Sequence, residues 1–148
     1  MPLNLAALTT TPGLPGAGSK PYPSSVMTAA QEWAAAMKAY VAAMVPPSTA
    51  VDAAATALEG ALIAAFSMKP AAPSLEAAFA AFAATLSGGM APAVPVVPPA
   101  PVGFADLFLM PPAATSLEGI ARVAGKIDIW MRTGTAVFPP ATAALIWA

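Results

Sequence analysis

Side chains that could do chemistry are few and far apart in this sequence. The 148-residue chain has no histidine and no cysteine, the two side chains that most often act as general base or nucleophile. No metal-ligand spacing and no glycine-rich phosphate loop is visible. We therefore predict a non-enzymatic protein with no catalytic residue, no metal, no cofactor and no small-molecule substrate. The carboxylates occur singly, at Glu32, Asp52, Glu59, Glu76, Asp106, Glu118 and Asp128.

The composition favours a protein that works in contact with other proteins. Hydrophobic residues make up 58% of the chain and charged residues only 9%, whereas a soluble domain has about 25% charged residues. The formal net charge of −1 provides little repulsion between copies, which favours association. We therefore expect partners that are structural proteins, among them copies of this chain.

Charge and proline content argue against two other kinds of partner. Six basic residues against seven acidic ones make a nucleic-acid surface improbable on electrostatic grounds. A membrane span needs about 20 uninterrupted apolar residues, and the longest uncharged stretch, 77–105, contains five prolines. The opening residues have no basic segment of the kind that begins a signal peptide. We expect neither nucleic-acid binding nor a membrane span.

Proline positions divide the chain into four helical patterns, because proline ends helices. The pattern predicts a mainly α fold, a small bundle of about four short amphipathic helices. We expect Phe79, Phe82, Trp33 and Trp130 to meet in one core. The helices are predicted to run from Ser24 or Ser25 to Val45, from a capping box at Thr49 and Asp52, from Ser74 to Gly88–Gly89, and from Thr115 to Gly134.

Three segments lack a helical pattern, and they define the predicted organisation. Residues 1–23 are predicted to form an extended N-terminal arm. Residues 24–134 form a single helical domain, which a proline-rich extended segment interrupts at 91–112. Residues 135–148 form a C-terminal strand or arm with strand-like runs at 135–138 and 143–147.

Exposed apolar and paired charged residues supply the candidate interface sites. The C-terminal tail, with Trp147 as its aromatic residue, either docks on a neighbouring protein or packs back on its own core as a strand. The valines between prolines form either a spacer across the helices or an edge added to another chain's sheet. Arg132 follows Asp128 by four residues, which suits either a solvated helix face or a contact with a neighbouring subunit. The candidates are Trp147, Ile146, Leu145, Arg132, Val94, Val96 and Val97.

The pattern resembles small alanine-rich virion proteins from the structural gene clusters of tailed bacteriophages. Three stretches carry the resemblance: Ala-Ala-Gln-Glu-Trp-Ala at 29–34, Phe-Ala-Ala-Phe-Ala at 79–83, and Ile-Asp-Ile-Trp-Met-Arg-Thr-Gly-Thr-Ala at 127–136. The last is the most specific. The terminal half departs from the polar, glycine-containing hairpin expected of such proteins, because Phe138-Pro139-Pro140 is followed by apolar residues.

The resemblance implies a structural subunit of the tail, baseplate or neck, located in the virion after assembly in the host cytoplasm. Its partners would be other virion structural proteins. A capsid decoration or cement protein is the first alternative. Only its position in the particle would distinguish it from a tail component. A granule- or lipid-interface coat protein is the second alternative, and it should have a long amphipathic helix with a basic face.

Overall fold

The computed structural model describes residues 3–10, 13–18, 21–99 and 101–148, and within them the fold is mainly helical, as predicted. Four long helices form a small bundle, and two short helices and a three-stranded sheet complete it. In chain order the elements are α1 (Ala6–Thr9), α2 (Val26–Val41), α3 (Val51–Phe66), α4 (Ala72–Gly88), β1 (Val94–Val96), α5 (Phe104–Leu109), α6 (Ser116–Met131), β2 (Thr135–Val137) and β3 (Leu145–Ile146).

The core forms where the apolar stripes of the long helices meet. Helix α3 packs against both α2 and α4. Phe79 and Phe82 of α4 are fully buried, and Trp130 of α6 is 4% exposed. The half-buried Trp33 ring lies edge-on to Phe79 at 5.9 Å and to Phe66 at 6.0 Å between centroids, a favourable aromatic geometry. The predicted aromatic core is therefore confirmed.

Two of the predicted helix starts are confirmed by their capping bonds. The Ser25 hydroxyl accepts the Thr28 N–H at 3.1 Å, and the Thr115 hydroxyl accepts the Glu118 N–H at 3.1 Å. Each bond satisfies one of the amides that a helix leaves free at its first turn. The Glu118 carboxylate in turn accepts the N–H of Ala114 at 2.8 Å, so the start of α6 is held from both sides.

The capping box predicted at Thr49 and Asp52 is wrong. Helix α3 begins after Ala50 without a side-chain cap. Thr49 instead donates its backbone N–H to the Gly89 carbonyl at 2.9 Å, and Ser48 donates its hydroxyl to the Leu86 carbonyl at 2.6 Å. The Thr49 hydroxyl also donates to the Gly89 carbonyl, at 3.2 Å. Ser48 and Thr49 thus satisfy carbonyl groups at the end of α4, which local sequence does not reveal.

Residues 1–23 are predicted to form an extended arm, but those that the structure describes fold onto the helical bundle. Residues 6–9 form helix α1, which contacts α2 and α6. Leu3, Leu8 and Leu14 are each at most 3% exposed. The leucines of this segment supply enough apolar surface to fold it back onto the core. Positions 1, 2, 11, 12, 19 and 20 lie outside the described residues.

The predicted proline-rich extended segment, 91–112, contains a strand and a short helix. Helix α5 occupies a proline-free window, and the Glu76 carboxylate binds its start by accepting the N–H groups of Val102, Gly103 and Phe104. A carboxylate at this position is favoured by the helix dipole. Nothing local to 104–109 shows that α4 supplies this cap, so the sequence pattern missed the helix.

The two predicted C-terminal strands are confirmed, and they join β1 in one antiparallel sheet. The strand order is β1-β2-β3, with Val96 opposite Thr135 and Thr135 opposite Ile146. Residues 94–96 therefore add a strand to the chain's own sheet. The Trp130 indole N–H donates to the Pro99 carbonyl at 2.7 Å and holds the following segment against α6.

Replacing Phe82 with alanine should lower the free energy of unfolding by about 3–5 kcal/mol, because the ring is fully buried and its removal leaves a cavity. Chemical denaturation at low protein concentration measures the change. The control is Ile129→Ala on α6, whose side chain is 69% exposed and should cost less than about 1 kcal/mol. Equal losses for the two variants would contradict this core.

Candidate functional site

The C-terminal tail packs on the protein's own core, so the second of its two predicted modes is the one observed. Trp147 is fully buried. Its backbone N–H donates to the Gly134 carbonyl at 2.9 Å and its indole N–H to the Thr135 carbonyl at 3.1 Å. Ala148 exchanges two backbone hydrogen bonds with Val45, at 2.7 and 3.1 Å. The prediction of Trp147 as an interface residue is therefore corrected: its ring is already enclosed within the chain, and it belongs to the core.

Gly134 creates the space that the Trp147 ring occupies. A Cβ atom at position 134 would lie 2.5 Å from the indole ring, which is closer than van der Waals contact permits. Gly134, which follows the end of α6, thus also leaves room for the indole ring of the tail. The sequence predicts Gly134 only as the end of a helix, since Trp147 lies 13 residues further along the chain.

The candidate functional site is the outward face of the three-stranded sheet. Residues directly opposite on antiparallel strands share a face, so Val94, Val96, Thr135, Val137 and Ile146 lie on one side. Ala136 points the other way and is fully buried. The outward side carries Val94 at 58%, Val96 at 61% and Ile146 at 58% exposure. We call these five residues the apolar sheet face.

Three of the interface candidates thus share the apolar sheet face, and two others are only their neighbours in the sequence. Leu145 of β3 is 46% exposed, but it pairs with Ala136 and so lies on the other side of the sheet, and Val97 is 40% exposed just after β1. Proline 95, in the middle of edge strand β1, has no N–H to offer another strand, which discourages pairing along that edge. A partner would therefore contact the face of the sheet rather than add a strand beside β1.

Arg132 is engaged within the chain. Its guanidinium donates to both oxygens of Asp128, at 2.9 and 3.1 Å, and to the Leu3 carbonyl at 3.4 Å. The predicted i, i+4 pair is confirmed, and a second pair at the same spacing joins Arg122 with Glu118 at 2.5 Å. The two hydrogen bonds donated by Arg132 to the Asp128 carboxylate raise the pKa of the guanidinium because they stabilise its charged form.

Asp128 also accepts a hydrogen bond from a fully buried tyrosine. The Tyr40 hydroxyl donates to Asp128 at 2.9 Å across the α2–α6 contact. Burial, followed by this hydrogen bond and the negative charge of Asp128, raises the pKa of Tyr40 well above its ordinary value. The arrangement keeps the phenol protonated, so it serves as a hydrogen-bond donor that joins the two helices.

An apolar cleft forms where the 14–15 turn, the start of α2 and the middle of α6 come together. Its volume is about 620 Å³, within the range of about 300–1,000 Å³ typical of binding pockets. None of the described residues that line it carries a charge. Trp33, which the sequence predicts as a core residue, and Ile120 both line this cleft. The described lining also includes Leu14, Pro15, Tyr22, Pro23, Val26, Ala29, Phe66 and Val123.

The described residues show no grouping of three or more carboxylates that could hold a metal ion. No helix in this part of the chain is long and apolar enough to cross a membrane. Ion pairs engage Lys38 with Asp52 at 2.5 Å and Lys126 with Asp106 at 2.7 Å, in addition to the two arginine pairs on α6. The charges are therefore neutralised locally rather than gathered in one patch.

No family model, curated protein or solved structure matches this chain.

Replacing Trp147 with alanine should lower the free energy of unfolding by about 3–5 kcal/mol, because the ring is enclosed by its own chain. Ile146→Ala is the matched control, since the adjacent side chain is 58% exposed. Denaturation curves of the monomer, followed by circular dichroism, compare the two. If Trp147→Ala melted with the parent protein, the tail would not be part of the core.

The buried tyrosine should make stability fall at alkaline pH. Above the ordinary tyrosine pKa of 10, the unfolded chain releases the phenolic proton while the folded chain keeps it, so rising pH favours unfolding. Tyr40→Phe should cost about 1.5–3 kcal/mol at pH 7, where a hydrogen bond to a carboxylate is lost. The difference from the parent protein should shrink between pH 10 and 11.5 in denaturation series. A constant difference would show that Tyr40 is not the titrating group.

Proposed function

We propose that this protein is a non-enzymatic structural subunit of a bacteriophage virion, in the tail, baseplate or neck. It assembles by placing apolar surface against other virion proteins. The observation that carries the proposal is the apolar sheet face, on which Val94 and Val96 of β1 and Ile146 of β3 are exposed on either side of the half-buried middle strand β2. Contiguous exposed apolar side chains are characteristic of surfaces that another protein covers.

The sheet face is suited to a permanent contact. Its middle strand is β2, and the core side of that strand is closed by the buried Ala136. The tail that supplies β3 is fixed by Trp147 and by the backbone pairing of Ala148 with Val45. The apolar side chains therefore stand on an ordered backbone, and binding need not order the strands.

The resemblance to tailed-phage virion proteins supports the same role. Its most specific stretch, 127–136, covers the end of α6 and the first two residues of β2. These residues include the Arg132–Asp128 ion pair, the bend at Gly134 and most of the central strand of the sheet. The stretch that resembles virion proteins thus supplies part of the middle strand of the candidate docking face, while the exposed side chains of that face come from β1 and β3.

A charge placed on the sheet face should exclude the protein from particles. Val96→Lys puts an ammonium group where a partner would bury a valine, and burying an unpaired charge is strongly unfavourable. We expect its content in gradient-purified phage particles to fall about tenfold or more, measured by quantitative mass spectrometry against the major capsid protein. Circular dichroism of the purified variant should match that of the parent protein.

Ala57→Lys is the matched control, because it adds the same charge at an exposed position of α3. This variant should enter particles at the level of the parent protein. Normal incorporation of Val96→Lys would remove the sheet face from the assembly contact. Absence of the parent chain from purified particles would overturn the virion proposal itself.

A further inference from the structure

The chain carries a second exposed apolar feature, separate from the sheet. The segment Phe108–Met110, at the end of α5, exposes Phe108 at 69%, Leu109 at 85% and Met110 at 46%. We propose that this segment of one copy inserts into the apolar cleft of a second copy. The inference rests on the proposed role as an assembly subunit and identifies one of its partners as another copy of the same chain.

The cleft has the shape and chemistry to receive such side chains. Trp33 and Phe66 line it with their rings edge-on at 6.0 Å, and Ile120 and Val123 of α6 add aliphatic side chains to the lining. Val26, another lining residue, is 40% exposed. Aromatic and aliphatic walls of this kind favour an uncharged occupant, since a charge would lose its hydration there.

The segment matches those requirements. From Leu107 to Leu117 the sequence contains no charged residue, so the part that would enter the cleft brings no charge that must be desolvated. Leu109 is the most exposed of the large hydrophobic side chains in the described part of the chain. Phenylalanine, leucine and methionine side chains can fill a cavity of this size by packing alone.

The backbone around the segment is held in place before any partner arrives. The Arg122 guanidinium donates to the Pro111 carbonyl at 2.6 Å, and Glu118 accepts the N–H of Ala114 at 2.8 Å while pairing with Arg122 at 2.5 Å. Glu76 holds the start of α5. A segment fixed at both ends loses little conformational entropy on binding, which favours association.

The contact joins two different surfaces of the same chain. Each copy therefore offers one segment and one cleft, and such contacts repeat from copy to copy until the assembly closes on itself or grows as a filament. Repeated contacts of this kind suit a subunit that is present in many copies. The apolar sheet face remains available to a different protein.

The test is a complementation experiment with two variants of the full chain. Leu109→Glu places a carboxylate in the segment, and Ala29→Glu places one in the wall of the cleft at a half-buried position of α2. Sedimentation velocity should show that the parent chain self-associates, whereas each variant alone associates about tenfold or more weakly. An equimolar mixture should form a one-to-one dimer, because it retains one intact segment and one intact cleft.

Two matched variants separate this contact from the others. Ile129→Glu adds the same charge at a side chain that is 69% exposed, and it should associate like the parent chain. Val96→Lys on the sheet face should also self-associate normally, even where it is excluded from particles. If Val96→Lys weakened self-association and Leu109→Glu did not, this inference would fail while the proposed function would stand.

Three further results would overturn the inference. The first is a parent chain that stays monomeric at 100 µM. The second is a mixture that stays monomeric while both variants show the circular dichroism of the parent chain. The third is an apolar fluorescent probe that binds the cleft of the self-associated parent chain without weakening the association, with Ala29→Glu abolishing the signal, since the cleft would then be open to a small molecule while the copies are joined elsewhere.

Discussion

The enclosure of Trp147 against Gly134 is the interaction on which the sheet depends. The ring fills a space that only glycine leaves open, and a Cβ there would approach it to 2.5 Å. Its burial brings Leu145–Ile146 alongside β2 and lets Ala148 pair with Val45, which joins the chain end to the α2–α3 connection. Strands of two or three residues are not stable alone, so the tertiary contact has to supply the stability.

Elsewhere in the fold, carboxylates that occur singly in the sequence accept hydrogen bonds that join one element to another. Glu76 binds three backbone N–H groups at the start of α5, and Asp128 accepts from both Tyr40 and Arg132. Glu118 joins the start of α6 to Arg122. With so few charged residues in the chain, each of these carboxylates satisfies several donors, which leaves little charge to hydrate the surface.

The described surface has two separate apolar features. The apolar sheet face is exposed because the core covers only the other side of the three short strands. The Phe108–Met110 segment is exposed where α5 ends before a proline pair. Both stand on backbone that hydrogen bonds hold in place. A protein with such features benefits from association, since covering apolar surface is the main source of binding free energy.

The sequence alone determined the four long helices, the caps at Ser25 and Thr115, the aromatic core and the two C-terminal strands, because these depend on local periodicity and on residues close in sequence. Only the tertiary structure decided the rest. Thr49 donates to the Gly89 carbonyl instead of capping α3, and Glu76 of α4 accepts the N–H groups at the start of α5. The N-terminal leucines pack on the core of the bundle. It also decided that Trp147 lies inside while Val96 and Ile146 lie outside. Each of these outcomes depends on partners distant in the chain, and a local pattern does not identify such partners.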